Sequence, residues 1–216
     1  MNVVLTPDHR YVDLDDGREY PAVSRIIHRA RLRELPYGTR SGERGPRADN
    51  MKRGMQRGTE VHRLARSIDE TGSLEDAMFS DVFDPADLTA ENINYVAAYE
   101  SFLTTSGYKP TAWESVVCHQ RMGYAGKLDG IGWHGTQRVL IDRKTGSVDK
   151  SVWLQLTAYR MAHEAMHPQE RIDATYAVLL RADQTFSLIK NPLPDGEAEA
   201  YWTAAIWLAR WHEAAL

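Results

Sequence analysis

The second half of the chain alternates between strand-like and helix-like patterns of hydrophobic positions. Three apolar and β-branched runs, joined by short turns that contain glycine, are predicted strands: Ala112 to His119, Tyr124 to Trp133 and Arg138 to Asp142. The pattern then predicts a helix, two strands and a last helix: about Lys150 to Met166, Ala174 to Leu180, Thr185 to Ile189 and about Asp195 to Ala214. This order predicts an α/β fold with a mixed central sheet of about five strands flanked by helices.

The first residues carry the signal of a β-hairpin. An Asp-Gly pair lies between short alternating runs from Tyr11 to Tyr20, and this dipeptide favours a tight hairpin turn. Ser24 is the predicted N-cap of a helix that runs to about Leu35. The segment from Pro36 to Pro46, rich in Gly, Pro and Arg, is a predicted mobile loop.

Two further helices are predicted between this loop and the sheet. One runs from about Arg47 to Ser67 and the other from Ala90 to Thr105, with Gly107 ending the second. The segment between them, Thr71 to Leu88, has no regular pattern. We expect one domain over residues 1–216, with residues 1–46 as the N-terminal hairpin, helix and loop and residues 47–216 as the core.

Apolar residues at helical spacing are expected on the buried sides of two of these helices. In the helix before the sheet they are Ile93, Val96, Ala97, Phe102 and Leu103. In the last helix they are Ala204, Trp207, Leu208 and Trp211, which we expect to be structural.

The composition is that of a globular protein. Of the 216 residues, 43% are hydrophobic and 26% are charged, which excludes a disordered or collagen-like chain. No apolar stretch approaches the roughly 20 residues that a membrane helix needs, and no signal peptide is visible. Cys118 is the single cysteine, which excludes an internal disulfide and a four-thiolate zinc or iron–sulfur site. These features predict a cytoplasmic protein without a membrane partner.

Positive charge is concentrated in one stretch of an acidic chain. The net charge of −4 argues against a protein that coats nucleic acid. Between Arg25 and Arg66, however, 12 Lys and Arg stand against 4 Asp and Glu, whereas the rest of the chain has 14 against 26. This basic block is either a local anion-binding surface or a solvated helical face.

Two aspartates stand near the ends of adjacent predicted strands. Asp129 lies late in one strand and Asp142 ends the next, so the turn between the strands brings them close together. Carboxylates that are close repel each other, and a divalent cation that prefers hard oxygen ligands, Mg²⁺ or Mn²⁺, removes this conflict. Each aspartate taken alone is equally typical of a turn or a helix cap.

Lys144 and Glu114 extend this candidate site. Lys144 follows Asp142 by two residues and therefore points to the same face of the strand. Its ammonium could hold a water or stabilise the charge of a transition state at phosphorus, although a simple Asp–Lys surface pair explains the same spacing. Glu114 interrupts an apolar strand and needs a partner. It is an acceptor for Lys144, a ligand of a second metal, or an outward-facing edge residue.

Three more polar residues lie on predicted helices. His62 offers a nitrogen ligand for the same metal, although a lone histidine is more often a packed or surface residue. Gln155 and Tyr159 lie four residues apart on one helix face, and both can donate hydrogen bonds to a phosphate. Alone they are ordinary helix residues.

Taken in order, these residues resemble a known family. The chain contains, in a helix, strand, strand, strand, helix context, the motifs Gly58-x-x-x-His62, Glu114, Gly126-x-x-Asp129, Asp142-x-Lys144 and Gln155-x-x-x-Tyr159. The set resembles the RecB-like branch of the PD-(D/E)XK nuclease superfamily over about Tyr11 to Ala174. The hairpin that leads into the first helix is similar to phage-type exonucleases of this branch. The resemblance implies a restriction-endonuclease-like core.

The resemblance implies a metal centre and a catalytic lysine. His62, Asp129 and Asp142, with the backbone carbonyl of Arg143, would bind one or two Mg²⁺ or Mn²⁺ ions. Lys144 would position and polarise the attacking water.

The resemblance also implies residues that contact DNA. Gln155 and Tyr159 would line the site and touch the DNA backbone, and Glu114 would sit beside the metals or Lys144 as part of the catalytic set. Because the basic block leads into His62, four arginines would lie near the path of the substrate: Arg53, Arg57, Arg63 and Arg66.

Two departures from the family pattern are visible. Asp142 stands where many relatives have the longer glutamate. Several relatives carry a four-cysteine iron–sulfur cluster, which Cys118 alone cannot supply, so we expect a member without a cluster.

The expected function is a metal-dependent deoxyribonuclease with DNA as its substrate. The resemblance favours an exonuclease that acts at DNA ends in recombination, repair or phage replication, with a recombination or replication protein as the candidate partner. The alternatives are a non-catalytic DNA-binding or assembly module on the same fold and a structure-specific endonuclease.

Overall fold

The computed structural model describes residues 2–32 and 46–214. The strands are β1 (Val3–Leu5), β2 (Tyr11–Asp13), β3 (Glu19–Tyr20), β4 (Tyr108–His119), β5 (Tyr124–His134), β6 (Gln137–Lys144), β7 (Ala174–Leu180) and β8 (Phe186–Lys190). The helices are α1 (Val23–Arg29), α2 (Pro46–Thr71), α3 (Leu74–Ala77), α4 (Asn92–Thr105), α5 (Lys150–Met166) and α6 (Asp195–Ala214). A short 3₁₀ helix spans Pro85–Asp87. The predicted mobile loop, apart from Pro46, and the predicted helix end at Leu35 lie outside the described residues.

The central sheet is mixed, as the sequence pattern predicts. Its five strands lie in the order β4-β5-β6-β7-β8. Strands β6 and β7 are parallel, and the other neighbours are antiparallel. Helix α5 makes the crossover that a parallel pair requires. The α/β fold with a five-stranded mixed sheet flanked by helices is therefore confirmed.

The N-terminal hairpin is also present, but its surroundings differ from the prediction. Strand β1 adds to the hairpin of β2 and β3 to make a three-stranded antiparallel sheet. Ser24 does not cap α1, because the helix begins at Val23 and Ala22 is its N-cap without a side-chain hydrogen bond. The start is set instead by the sheet: Ala22 bridges to Ala125, whose backbone N–H donates to the Pro21 carbonyl at 3.1 Å.

The core lies on both faces of the central sheet. Neighbouring residues of β6 show this arrangement because successive side chains of a strand point to opposite faces. Leu140 packs in a cluster with Leu156 of α5 and Trp202 of α6. Ile141 packs in a second cluster with Phe102 of α4. Strand β6 is thus buried on both sides, as its continuous apolar run indicates.

The predicted buried side of α4 is confirmed for Val96, Phe102 and Leu103, but Ile93 is 45% exposed. The prediction for α6 is wrong, because Ala204, Trp207, Leu208 and Trp211 are exposed. Helix α6 carries apolar residues on two sides, and the side that packs contains Ala198, Trp202, Ala205, Ile206 and Ala209. Periodicity alone does not show which of two apolar stripes is buried, and in α6 the stripe with the larger aromatic residues faces solvent.

No helix among the described residues is long and apolar enough to cross a membrane.

Candidate active site

The backbone pairing between β5 and β6 ends where the predicted motifs begin, which leaves an opening between the two strands. The paired residues run from His134 opposite Gln137 to Gly130 opposite Ile141. Beyond this point the Asp129 carboxylate accepts a hydrogen bond from the backbone N–H of the residue after Asp142, with 2.6 Å between Arg143 N and Asp129 Oδ2. The Asp129 side chain therefore takes the place of a backbone acceptor, which fixes its carboxylate at the opening.

Helix α2 lies across this opening and contributes His62. His62 Nδ1 lies 3.3 Å from Asp129 Oδ1, and His62 Nε2 lies 3.0 Å from the Arg143 carbonyl oxygen. One ligand atom from each of His62, Glu114 and Asp129 lies within 4.8 Å of the other two. The structure thus brings together three of the predicted ligand groups and adds Glu114 to them.

Asp142 lies outside this group and faces a different partner. Its carboxylate is buried, with Oδ2 2.5 Å from Lys144 Nζ. This contact is an ion pair, and the buried Oδ1 has no hydrogen-bond partner in the part of the chain that the structure describes. Lys144 also donates to Gln155 Oε1 at 3.4 Å, and Gln155 Nε2 donates to the Tyr159 hydroxyl at 3.0 Å. The predicted glutamine and tyrosine therefore support the Asp142–Lys144 pair, and Tyr159 itself is buried.

Burial and charge act in opposite directions on these groups. Burial by itself would raise the pKa of Asp129, but His62, Arg143 and Lys144 outweigh it and hold the pKa well below its ordinary value. Burial raises the pKa of Asp142, which Lys144 only partly offsets. Burial would lower the pKa of His62, but the Asp129 charge and its hydrogen bond raise it above the ordinary value. Asp129 is therefore a permanent carboxylate, and the raised pKa of His62 means that a bound cation competes with a proton for the imidazole.

The Arg143 side chain is a part of the site that the sequence reasoning missed. Its buried guanidinium donates to Asp69 Oδ2 at 2.7 Å and to Glu114 Oε1 at 3.0 Å, and its Cζ lies 5.2 Å from the centre of the Tyr99 ring. Asp69 was missed too. It follows His62 by seven residues, a spacing that returns to the same helix face and could have indicated it.

Glu114 has an unusual backbone and a second basic partner. Its φ of 47° lies in the left-handed region, which is uncommon for residues other than glycine. The register sets Trp113 opposite Gly130, so Glu114 faces the position of Asp129 on the next strand. Glu114 Oε2 lies 2.5 Å from Lys127 Nζ. Lys127 was also missed, although its place two residues before Asp129 puts it on the same face of β5.

The four arginines predicted near the path of the substrate take different places around the cleft formed by these residues. Three of them line it, and each has an acidic partner: Arg57 with Glu91, Arg63 with Asp87 and Arg66 with Glu70. Arg53 is exposed on the same helix and is not among the lining residues.

A motif glycine is explained by close packing. A Cβ atom on Gly126 would lie 2.4 Å from Tyr159 Cε1, so a side chain at this position collides with the tyrosine. A Cβ atom on Gly58 would lie 3.7 Å from the Thr145 hydroxyl oxygen, which is an ordinary contact. Gly126 is therefore required by the fold, whereas Gly58 is not.

Comparisons with known proteins do not assign this chain to a family. No protein-family model matches it, and no curated protein does so. Among solved structures, the crystal structure of SSO0001 is similar over 72% of this chain and 73% of that one, with 17% sequence identity and a TM-score of 0.32. A likeness of this degree carries no argument, so the candidate site rests on its own geometry.

The arrangement combines ligands for a cation with groups that attract an anion. An imidazole, two carboxylates and a backbone carbonyl meet at the opening between β5 and β6. Lys127, Lys144 and the three lining arginines surround the same cleft. A divalent cation and a phosphate could therefore be held side by side.

Proposed function

We propose that this protein is a Mg²⁺- or Mn²⁺-dependent deoxyribonuclease that hydrolyses phosphodiester bonds at DNA ends. The observation that carries the proposal is the meeting of His62, Glu114, Asp129 and the Arg143 carbonyl in a cleft with a basic rim. The resemblance of the motifs to RecB-like nucleases supports the same chemistry. The proposed location is the reducing cytoplasm, with which the single buried Cys118 agrees.

The donor set fits a hard divalent cation. Carboxylate and carbonyl oxygens with an imidazole nitrogen suit Mg²⁺ and Mn²⁺. Asp142 adds a further argument, because its buried Oδ1 has no hydrogen-bond partner among the described residues, whereas Oδ2 is paired with Lys144. A buried polar atom without a partner costs free energy, which a cation nearby would offset.

The residues of the cleft have different roles in the proposed hydrolysis. When bound, a divalent cation supplies positive charge at the scissile phosphate and acidifies a coordinated water. His62, Glu114 and Asp129 would hold the cation. The Lys144 ammonium, between Asp142 and Gln155, orients the attacking water and stabilises the negative charge that develops on the phosphate.

Cleavage of two DNA forms tests the proposal. End-labelled linear duplex and a closed circle are incubated with Mg²⁺, Mn²⁺ or EDTA. We expect metal-dependent loss of the linear DNA and an intact circle. Lys144→Ala should lower the rate by about 10²–10³, the cost of losing one charge-stabilising group. Lys150→Ala removes an exposed lysine from the first turn of α5 and should retain the wild-type rate.

The other outcomes separate the alternatives. Cutting of the circle would make the protein an endonuclease. DNA binding without cleavage of either form would favour a non-catalytic DNA-binding or assembly module. Equal rates for Lys144→Ala and Lys150→Ala would contradict the role of Lys144.

A further inference from the structure

Lys127 is a positively charged residue of the cleft that has no role in the proposed hydrolysis. Its side chain is 38% exposed, and its ammonium contacts Glu114 Oε2 at 2.5 Å. Lys127 lies opposite Val116 of β4, so it is the diagonal neighbour of Glu114 on one face of the sheet. The pair therefore stands at the open side of the cleft, within reach of a bound anion.

Only one oxygen of Glu114 is held by the core. Glu114 Oε1 accepts a hydrogen bond from Arg143 at 3.0 Å, and the Arg143 side chain is 1% exposed. Glu114 Oε2 faces Lys127, which is partly in solvent. The Glu114 side chain lines the cleft, and its backbone is in the left-handed region. Oε2 is thus the atom that can change its partner while Oε1 stays anchored.

The same carboxylate belongs to the group that could hold a cation with His62 and Asp129. A bound divalent cation and the Lys127 ammonium would compete for Glu114, because both are positive and both approach the same carboxylate. The cation has the greater charge and the additional ligands. Lys127 would therefore lose its partner when the cation binds.

The formal charge of the cluster becomes more positive at the same step. Four carboxylates, Asp69, Glu114, Asp129 and Asp142, meet three permanent cations, Lys127, Arg143 and Lys144. These fixed charges nearly balance. A divalent cation adds two positive charges, so that the cluster attracts phosphate more strongly.

We propose that Glu114 and Lys127 form a cation-controlled phosphate site. Without a divalent cation, Glu114 holds Lys127. A bound cation takes over the Glu114 carboxylate, and the released Lys127 ammonium then binds a phosphate group of the nucleic acid. This inference rests on the proposed function, and it adds that the cation and the phosphate bind cooperatively, each strengthening the other by the same factor.

Binding titrations without catalysis test this site. Calorimetry measures the affinity for Mn²⁺, and then the affinity for thymidine 5′-monophosphate in EDTA and in saturating Mn²⁺. This probe carries a phosphate but no phosphodiester bond to hydrolyse. In the wild type we expect Mn²⁺ to strengthen nucleotide binding about tenfold, within the usual range of coupling between sites. Lys127→Met should bind Mn²⁺ more tightly and lose most of the coupling.

A double-mutant cycle separates the proposed exchange from plain repulsion between two cations. Glu114→Gln keeps an acceptor for Arg143 but removes the carboxylate. In this background Lys127→Met should leave Mn²⁺ affinity unchanged, because no pair remains to be broken. Lys127→Arg keeps the charge and should retain the coupling. Lys109→Met removes an exposed lysine of β4 outside the cleft and should behave as the wild type.

Failure of this site can be told apart from failure of the proposed function. The Glu114–Lys127 exchange would be overturned if Lys127→Met raised the Mn²⁺ affinity equally in the wild type and in Glu114→Gln. It would also be overturned if Lys127→Met left the coupling unaltered. Either result would hold even if the protein cuts DNA. Cooperative binding without DNA cleavage would overturn the nuclease and leave the exchange standing. A wild-type protein that does not bind Mn²⁺ would overturn both.

Discussion

At the scale of single residues, the Arg143 side chain connects the candidate site to the core. Its guanidinium is buried beside Asp69, Glu114 and the backbone carbonyl of Asp129. Removing charges from water is costly, and only close pairing offsets that cost. Loss of this one side chain would therefore remove the ion pair of Asp69 and one of the positive neighbours of Glu114 and Asp129.

Arg143→Met should lower the free energy of unfolding by about 3–5 kcal/mol, the usual cost of breaking a buried ion pair from one side. Urea denaturation followed by circular dichroism measures the loss. Arg66→Met is the matched control. Its exposed pair with Glu70 is expected to contribute less than about 1 kcal/mol. Similar small losses in the two variants would show that the buried network does not stabilise the fold.

The His62–Asp129 pair makes stability depend on pH. The folded pKa of His62 lies above its ordinary value of 6.5, so the charged pair contributes fully below about that pH. Its contribution is lost as the pH rises through the folded pKa. The lowered pKa of Asp129 keeps that carboxylate ionised throughout this range.

In EDTA, the wild type should therefore lose stability relative to His62→Gln as the pH rises above about 6.5, the ordinary pKa of histidine. Urea midpoints at several pH values measure the difference. Parallel pH profiles for the two proteins would contradict the pairing.

At the scale of elements, the contact between β5 and α5 depends on Gly126. Gly126→Ala should push Tyr159 away from the sheet and lower the free energy of unfolding by about 1–3 kcal/mol, the range for overpacked cores. Thermal or urea unfolding measures this loss. Gly146→Ala meets nothing within 4 Å of the added carbon and should be neutral. If Gly126→Ala is equally neutral, the tyrosine can move aside without cost.

The elements that the sequence predicts well are those with local signals. Helix α5 begins and ends where its pattern indicates, with Asp149 as an N-cap that accepts from the Ser151 N–H. Strand β7 also has the predicted bounds. The start of α1 was missed because the chain before it is fixed by Ala125, a residue about a hundred positions away. Such a long-range contact leaves no local trace in the pattern.

The candidate site was predictable as a set of residues but not as a set of contacts. The order of the motifs indicated His62 and Asp129, which the structure brings together. Glu114, for which a place beside the metals is one of the expectations, lies in the group around His62. Asp142, an expected ligand, pairs with Lys144 instead, and spacing alone does not distinguish these two contacts. The resemblance assigns only the backbone carbonyl of Arg143 to the site. The side chains of Asp142 and Arg143 point to opposite faces of the strand, so the spacing does not indicate the guanidinium.

At the scale of the whole molecule, the charge is uneven and the cleft has a basic wall. Arg53→Glu with Arg57→Glu should weaken DNA binding. It should also reduce the slope of log affinity against log salt by about two, because each phosphate contact contributes about one. Fluorescence anisotropy at several salt concentrations measures both quantities. Arg121 is exposed in the turn between β4 and β5, away from the lining of the cleft. Arg121→Glu is therefore the control for a change of net charge alone. An unchanged slope in the double variant would make the basic block a solvated surface.

The opened ladder between β5 and β6 has a consequence for how this protein can change in evolution. Asp129 serves the candidate site with one oxygen and the backbone of β6 with the other. Mutation to Asn removes the charge but keeps an oxygen for the Arg143 N–H, whereas mutation to Ala removes both. A homologue that no longer needs the candidate site can therefore carry Asn at this position with its fold intact. Ala at this position would destabilise the fold, so it would be selected against even in a homologue without activity.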